Sequence, residues 1–222
     1  MHPTEVWCNG STRDFGSLSR GSNPLTSTNL NHMSIMGKAY IFLADGFEET
    51  EALATLDILR RGKIEAYTVS ITDEVYITSS HGVTVVADMG RSDFSEIDID
   101  EKDAMIFPGG MPGSKKLAAD TPLIGLMNVH YGNGGIVAAI CAAPGLVATQ
   151  IKGIEGKKAT CFDGFEENLA ASGMEYVKAP AVTDGQLITG RGAAFAIDFG
   201  LAILEKMGGK EAAAKVKAAL LI

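Results

Sequence analysis

The residue best suited to covalent chemistry is Cys141, which follows the apolar run Gly135–Ile140 and precedes a helix predicted to begin near Pro144. A cysteine between a buried strand and a helix, with alanine neighbours, has the layout of a nucleophile elbow. The helix N-terminus offers unpaired N–H groups and a positive partial charge, which lower the pKa of a thiol. A buried structural cysteine is the competing interpretation, because free cysteines are commonly buried.

Acidic residues follow the first predicted strand. Asp45 with Glu48 fits an N-cap and capping-box arrangement, and acids in a first helical turn stabilise the helix dipole. Capping and solvation are therefore the favoured interpretation of Glu48 and Glu49. Glu51 lies further along the helix and points in another direction, which allows it to face the end of the sheet rather than water.

A glycine-rich segment, residues 108–114 (PGGMPGS), follows the apolar run Ala104–Phe107. Glycines permit positive φ angles and let backbone N–H groups approach a ligand closely. The segment matches neither the Walker A pattern nor GxGxxG, so a phosphate loop is not indicated. Two interpretations stay open: a tight strand-to-helix turn, or an oxyanion cradle that includes Gly110.

Short apolar runs alternate with helical patterns from Lys38 onward. Strands that are apolar throughout and separated by helices predict a parallel sheet covered on both faces, an α/β fold. In such sheets ligands bind beyond the carboxyl ends of the strands, where the residues described above lie. The predicted strands are Ala39–Ala44, Ile64–Ile71, Val75–Thr78, Val83–Val86, Ala104–Phe107, Gly135–Ile140, and segments near Lys157–Cys161 and Leu187–Thr189. One predicted helix ends near Arg61, a second spans Thr121–Asn133 and a third begins near Pro144. The last two predicted helices are Ala193–Met207 and Lys210–Leu220.

The composition argues against several classes of protein. Nineteen basic against twenty-seven acidic residues give a net charge of −8, which disfavours nucleic acid or an anionic membrane as the main partner. The longest apolar run, Ile136–Ala143, is far shorter than the roughly 20 residues of a membrane span. Three cysteines without paired spacing indicate neither a disulfide scaffold nor a zinc site, and they favour a reduced, cytoplasmic setting.

Residues 1–36 differ in composition from the rest. Nineteen of these 36 residues are Ser, Thr, Asn, Gly or Pro, and no hydrophobic periodicity is present. We predict a disordered extension over 1–36 and a single domain over 37–222. A mitochondrial transit peptide is the rival interpretation, weakened by only two arginines and by balancing acids.

Four motifs occur in a characteristic order. They are GFEETE (46–51), FPGG (107–110), AICAAP (139–144) and ITGRG (188–192). Their order and spacing resemble the ThiJ/PfpI superfamily and, within it, the DJ-1 branch of protein deglycases, as a bacterial-type member. The resemblance covers essentially all of residues 38–222 and implies a flavodoxin-like α/β three-layer sandwich, a homodimer, and no metal or organic cofactor.

The resemblance also implies roles for individual residues. It makes Cys141 the nucleophile and Glu51 a protonated partner that acts as general acid and base. The N–H groups of Gly110 and Ala142 would form an oxyanion pocket.

Three further residues are weaker candidates. His81 and Arg191 fall where family members place polar residues near the dimer-side rim. Cys161 is either a resolving thiol or a buried structural cysteine.

One departure from the family concerns a histidine base that some animal members carry after the cysteine helix. Phe162 occupies that slot here, and no histidine follows Cys141. A Cys-His mechanism is therefore not expected, which also disfavours class I glutamine amidotransferases and the intracellular-peptidase branch.

Two functions remain from the sequence. The first is a cofactor-independent glyoxalase or deglycase, in which Cys141 attacks glyoxal, methylglyoxal or their early adducts with amines or thiols. The second is a redox-responsive stress protein or chaperone, in which Cys141 is oxidised to a sulfinate without significant turnover.

Overall fold

The computed structural model describes residues 36–94 and 99–222, so the predicted disordered extension, apart from Met36, lies outside the described residues. The strands are β1 Ala39–Leu43, β2 Ala66–Ser70, β3 Tyr76–Thr78, β4 Thr84–Val86, β5 Ala104–Phe107, β6 Ile136–Ile140, β7 Lys158–Ala159, β8 Glu175–Tyr176, β9 Ala181–Asp184 and β10 Leu187–Gly190. The helices are α1 Glu49–Arg61, α2 Gly113–Ala119, α3 Thr121–Gly132, α4 Ala143–Leu146, α5 Glu166–Ala171 and α6 Ala196–Ala219.

A six-stranded sheet in the order β2-β1-β5-β6-β10-β9 forms the centre of the described fold. All pairs within it are parallel except the edge pair β10–β9. The carboxyl ends of β1, β5, β6 and β10 therefore meet at one edge. This arrangement confirms the predicted α/β class and places the residues after those four strands together.

The central strands are apolar throughout because each sheet face packs against its own helical layer. Alternate residues such as Ile41 and Ile106 pack with α1 and α6 in one buried cluster. The intervening residues, such as Phe42 and Phe107, pack with α2, α3 and α5 in a second cluster. Residues two apart point to the same face of a strand, so one apolar run supplies both cores.

Several predicted boundaries differ from the structure. Asp45 does not cap α1. Its Oδ1 instead accepts the N–H of Thr78 at 2.9 Å, and Glu48 is the N-cap, accepting the N–H of Glu51 at 2.7 Å. The chain turns at Asp45 and Gly46 before the helix, and Gly46 takes a positive φ of 88° there.

Short elements were missed by the sequence analysis. Helices α2 and α5 and strands β8 and β9 are too short or too polar to show a clear hydrophobic period. The segment from Ala193 begins with a short 3₁₀ turn, and α6 contains a kink at Gly209, where φ is 83°. Within the described residues, no helix combines the length and apolar character needed to cross a lipid bilayer.

Candidate active site

Cys141 lies at a strained turn directly after β6. Its φ is 65°, in the left-handed region that a side chain with a Cβ rarely adopts. Two hydrogen bonds hold this backbone: the Cys141 N–H donates to the carbonyl of Gly190 at 2.9 Å, and the Cys141 carbonyl accepts from the Phe162 N–H at 2.8 Å. The thiol is half-buried. Strain held in place by neighbouring segments is typical of functional sites, and the predicted elbow is present.

Glu51 turns away from water on the first turn of α1. The residue is 1% exposed, and its Oε2 accepts the N–H of Gly109 at 2.7 Å. Its Oε1 is buried without a hydrogen-bond partner among the described residues. A buried carboxyl that is only half satisfied is costly as an anion, which favours its protonated form.

Gly109 packs against both the acid and the thiol. A Cβ added to this glycine would lie 2.5 Å from the Cβ of Cys141, 2.5 Å from Glu51 Oε2 and 3.0 Å from the Cys141 sulfur. The side chains of Cys141 and Glu51 therefore leave no room for a side chain at position 109. Gly110 was predicted from this motif as part of an oxyanion cradle, whereas Gly109 was not predicted, although the paired glycines of FPGG were the available signal.

Backbone N–H groups surround the sulfur. Those of Gly110 and Ala142 both act to lower the pKa of the Cys141 thiol. Gly110 has a φ of 90°, and a Cβ there would lie 2.4 Å from the backbone nitrogen of Glu48, so glycine is required for the close approach. The two residues assigned to an oxyanion pocket are thus brought to the nucleophile.

The ionisation of Cys141 and Glu51 is coupled. Burial raises the pKa of Glu51 to about 7. Burial first, and then the Glu51 carboxylate, raise the pKa of Cys141 to about 12. Each negative charge opposes the other, so the pair carries at most one near neutral pH.

The lowering of the Cys141 pKa expected from a helix N-terminus is therefore wrong in its direction. The helix that follows, α4, has only four residues, so its dipole is small. The singly charged pair still has two arrangements, carboxylate with thiol or carboxyl with thiolate. The N–H groups of Gly110 and Ala142 stabilise the second one.

His81 lies outside this centre. It is exposed, and its Nδ1 contacts the Glu49 carboxylate at 3.0 Å, which raises the pKa of His81. His81, Glu48 and Glu49 bring three potential metal-ligand atoms within 4.8 Å of one another. Each group already has a partner, since one Glu48 oxygen caps α1 and Glu49 pairs with the histidine.

Arg191 and Cys161 each have partners other than Cys141 and Glu51. The Arg191 guanidinium pairs with Asp163: its Nη2 donates to Oδ1 at 2.6 Å and to Oδ2 at 3.0 Å, and its Nε donates to Oδ1 at 3.1 Å. Cys161 is fully buried in the core cluster that includes Val147 and Leu169. The structure thus favours a structural cysteine at 161 over an accessible resolving thiol.

The chain is similar to proteins of one known family. The DJ-1/PfpI family model matches residues 37–206. Protein DJ-1 homolog B of Arabidopsis thaliana is 35% identical over 185 residues, covering 83% of this chain and 41% of that protein. The glutathione-independent glyoxalase DJR-1.2 of Caenorhabditis elegans is 32% identical over 166 residues, 74% of this chain and 84% of the relative. The chain spans less than half the length of its Arabidopsis relatives.

Among solved structures, Drosophila melanogaster DJ-1beta is similar with a TM-score of 0.78 at 30% identity, covering 85% of this chain and 99% of the fly protein. This likeness confirms the flavodoxin-like α/β sandwich. That this chain is a bacterial-type member of the family stays a prediction. The chain belongs to the DJ-1/PfpI family.

Proposed function

We propose that this protein is a cofactor-independent glyoxalase or deglycase, which converts glyoxal, methylglyoxal or their early adducts into 2-hydroxy acids. The observation that carries the proposal is the closure of Cys141 and Glu51 around Gly109, with two backbone N–H groups at the sulfur. The arrangement provides a nucleophile, a proton carrier and an oxyanion site without any histidine.

The reaction begins from the thiolate of Cys141 and the protonated carboxyl of Glu51. The sulfur attacks the aldehyde carbon, and the resulting oxyanion is held by the N–H groups of Gly110 and Ala142 before it takes the Glu51 proton. The Glu51 carboxylate then removes the hydrogen from the former aldehyde carbon as a proton and returns it to the neighbouring ketone carbon, while the hydroxyl proton on the former aldehyde carbon moves to the ketone oxygen.

The product of these steps is a thioester of a 2-hydroxy acid on Cys141. Water hydrolyses the thioester and regenerates the thiol. The aldehyde carbon is oxidised while the ketone carbon is reduced, so the net reaction is dicarbonyl plus water to hydroxy acid, without an external oxidant. An adduct with an amine would release that amine, which is the deglycase form of the activity.

The nematode relative named as a glutathione-independent glyoxalase supports the enzymatic proposal. A homodimer in the cytoplasm is the setting we infer for this activity. Apolar side chains exposed on α1 and on the β3–β4 hairpin, namely Leu53, Tyr76, Val83 and Val86, support a self-associating face.

Lactate formation from methylglyoxal tests the proposal. We expect Cys141→Ser and Glu51→Gln each to lower kcat/KM by about 100-fold or more, because each removes a group that reacts. The matched control is Cys161→Ala, which removes a buried sulfur and should retain activity within about twofold. Equal rates for wild type and Cys141→Ser would refute the role of the nucleophile.

The second candidate is a redox-responsive stress protein. The observation that favours it is Glu51 Oε1, which is buried without a partner and could donate a hydrogen bond to an oxygen of a Cys141 sulfinate. Mass spectrometry after mild peroxide is the discriminating measurement. A stable gain of two oxygens at Cys141, without dicarbonyl turnover, would favour this function over the enzyme.

A further inference from the structure

An open, largely apolar pocket of about 400 Å³ is lined by residues that follow β7 and β10. Its walls are Phe162 and Asp163, which follow β7, and residues 191–195, which follow β10. Two phenylalanines, two alanines and a glycine make up most of this lining. Pockets of this size and character bind small molecules with apolar groups.

Both walls of the pocket are tied to the nucleophile's backbone. The N–H of Phe162 donates to the carbonyl of Cys141 at 2.8 Å, and the N–H of Cys141 donates to the carbonyl of Gly190, the residue before Arg191. These two hydrogen bonds place the pocket next to the turn that carries Cys141.

Phe162 forms the aromatic wall. Its side chain is large and apolar, yet the residue is 50% exposed. A Cβ added to Gly192 would lie 3.3 Å from Phe162 Cδ2, so the ring rests over the backbone of that glycine. Phe162 thus packs against Gly192 on one side and leaves half of its surface exposed to a ligand.

The charges at the pocket compensate each other. The Arg191 guanidinium is engaged by both oxygens of Asp163, at 2.6 and 3.0 Å. An anionic ligand would have to compete with this carboxylate, whereas a neutral apolar group would not. The pocket therefore selects for apolar surface rather than for charge.

We propose that Phe162 is a specificity-determining residue, which favours 2-oxoaldehydes whose ketone carbon carries an aromatic or bulky apolar substituent. The inference rests on the proposed function and narrows its substrate class. Phenylglyoxal, with water, would give mandelate by the steps described above, while glyoxal would leave the pocket empty. The substituent gains affinity by removing its own apolar surface and that of Phe162 from water.

The first measurement is the ratio of kcat/KM for phenylglyoxal to that for glyoxal. We expect this ratio to fall by about tenfold in Phe162→Ala and by less in Phe162→Leu, because leucine keeps part of the apolar wall. Val129→Ala is the matched control, since Val129 is 62% exposed on α3 and does not line the pocket.

The second measurement does not depend on turnover. Peptide mass spectrometry follows the alkylation of Cys141 by N-benzyliodoacetamide and by iodoacetamide. The ratio of the two rates should fall by about tenfold in Phe162→Ala, while the same ratio in Val129→Ala should equal that of the wild type.

The outcomes separate the two proposals. Ratios at Cys141 that are the same in wild type and Phe162→Ala would overturn the role of Phe162, even if both proteins turn over dicarbonyls. A Phe162-dependent alkylation ratio in a protein that converts neither aldehyde would support the aromatic pocket and overturn the glyoxalase function.

Discussion

Cys141 and Cys161 lie twenty residues apart, and each follows a strand. Burial is the first cause that raises the pKa of both thiols to about 12. Cys141 nevertheless sits half-exposed at a φ of 65°, beside a buried acid and two backbone N–H groups. Cys161 is fully buried among apolar side chains.

The comparison shows that ordinary thiol acidity does not distinguish these two cysteines. What differs is the second titrating group. Glu51 carries a proton to about pH 7 and can exchange it with the neighbouring sulfur, whereas the core around Cys161 supplies no such partner among its buried members. Reactivity at Cys141 is therefore a property of the pair.

Removing the titrating acid should have the largest effect. The native state keeps a proton on Glu51 between its ordinary pKa of 4.5 and about 7, a window in which the unfolded chain has lost it. Stability therefore falls as pH rises through this window, by roughly 3 kcal/mol from this group. Urea denaturation of wild type and Glu51→Gln at pH 5 and pH 8 checks this. If the free energy of unfolding of Glu51→Gln falls as much between pH 5 and pH 8 as that of the wild type, other groups cause the pH dependence.

Separating the acid from the thiol should be nearly as damaging. Gly109→Ala places a methyl group 2.5 Å from both Glu51 Oε2 and the Cβ of Cys141, so one of them must move. We expect turnover of methylglyoxal to fall by about 100-fold in a chain that still folds. Gly125→Ala is the control: this glycine lies in α3 with open space around it, and the change should stabilise the protein by up to about 1 kcal/mol. Full activity in Gly109→Ala would contradict the proposed cooperation of Cys141 and Glu51.

Oxidation compares the two cysteines directly. Under mild peroxide we expect Cys141 to gain oxygen at least about tenfold faster than Cys161, because Cys161 is inaccessible to the oxidant. Peptide mass spectrometry provides both rates in one experiment. In denaturant the two rates should converge, and a difference that survives unfolding would show that tertiary structure is not its cause.

The smallest effect is expected for the replacement of His81, which lies outside the Cys141–Glu51 centre. Glu49 and Glu51 are two residues apart on α1, but Glu49 pairs with the exposed His81. Since exposed ion pairs are screened by water and salt, His81→Ala should leave the urea midpoint and the methylglyoxal activity unchanged within error. A large loss of activity would move His81 from the rim into the site.

The sequence predicted the sheet well because its strands are apolar on both sides and bounded by glycines and polar turns. Ala104–Phe107 was predicted at its observed bounds. The short elements α2, α5, β8 and β9 were missed, since their formation depends on tertiary contacts rather than on a local period. The assignment of Asp45 as a helix cap was wrong because Thr78, distant in sequence, provides a better partner.

The amino-acid sequence by itself determined the α/β class and the family, because these follow from local hydrophobic pattern and from motifs in register, and it predicted Cys141 and Glu51 as the reactive pair. Only the tertiary structure decided that Gly109 packs against both thiol and carboxyl, that Cys161 is buried, and that Phe162 lines an open pocket. The physical reason is that pKa values and accessibility depend on which groups converge from separate strands. That convergence at the sheet edge is a long-range property no local pattern contains.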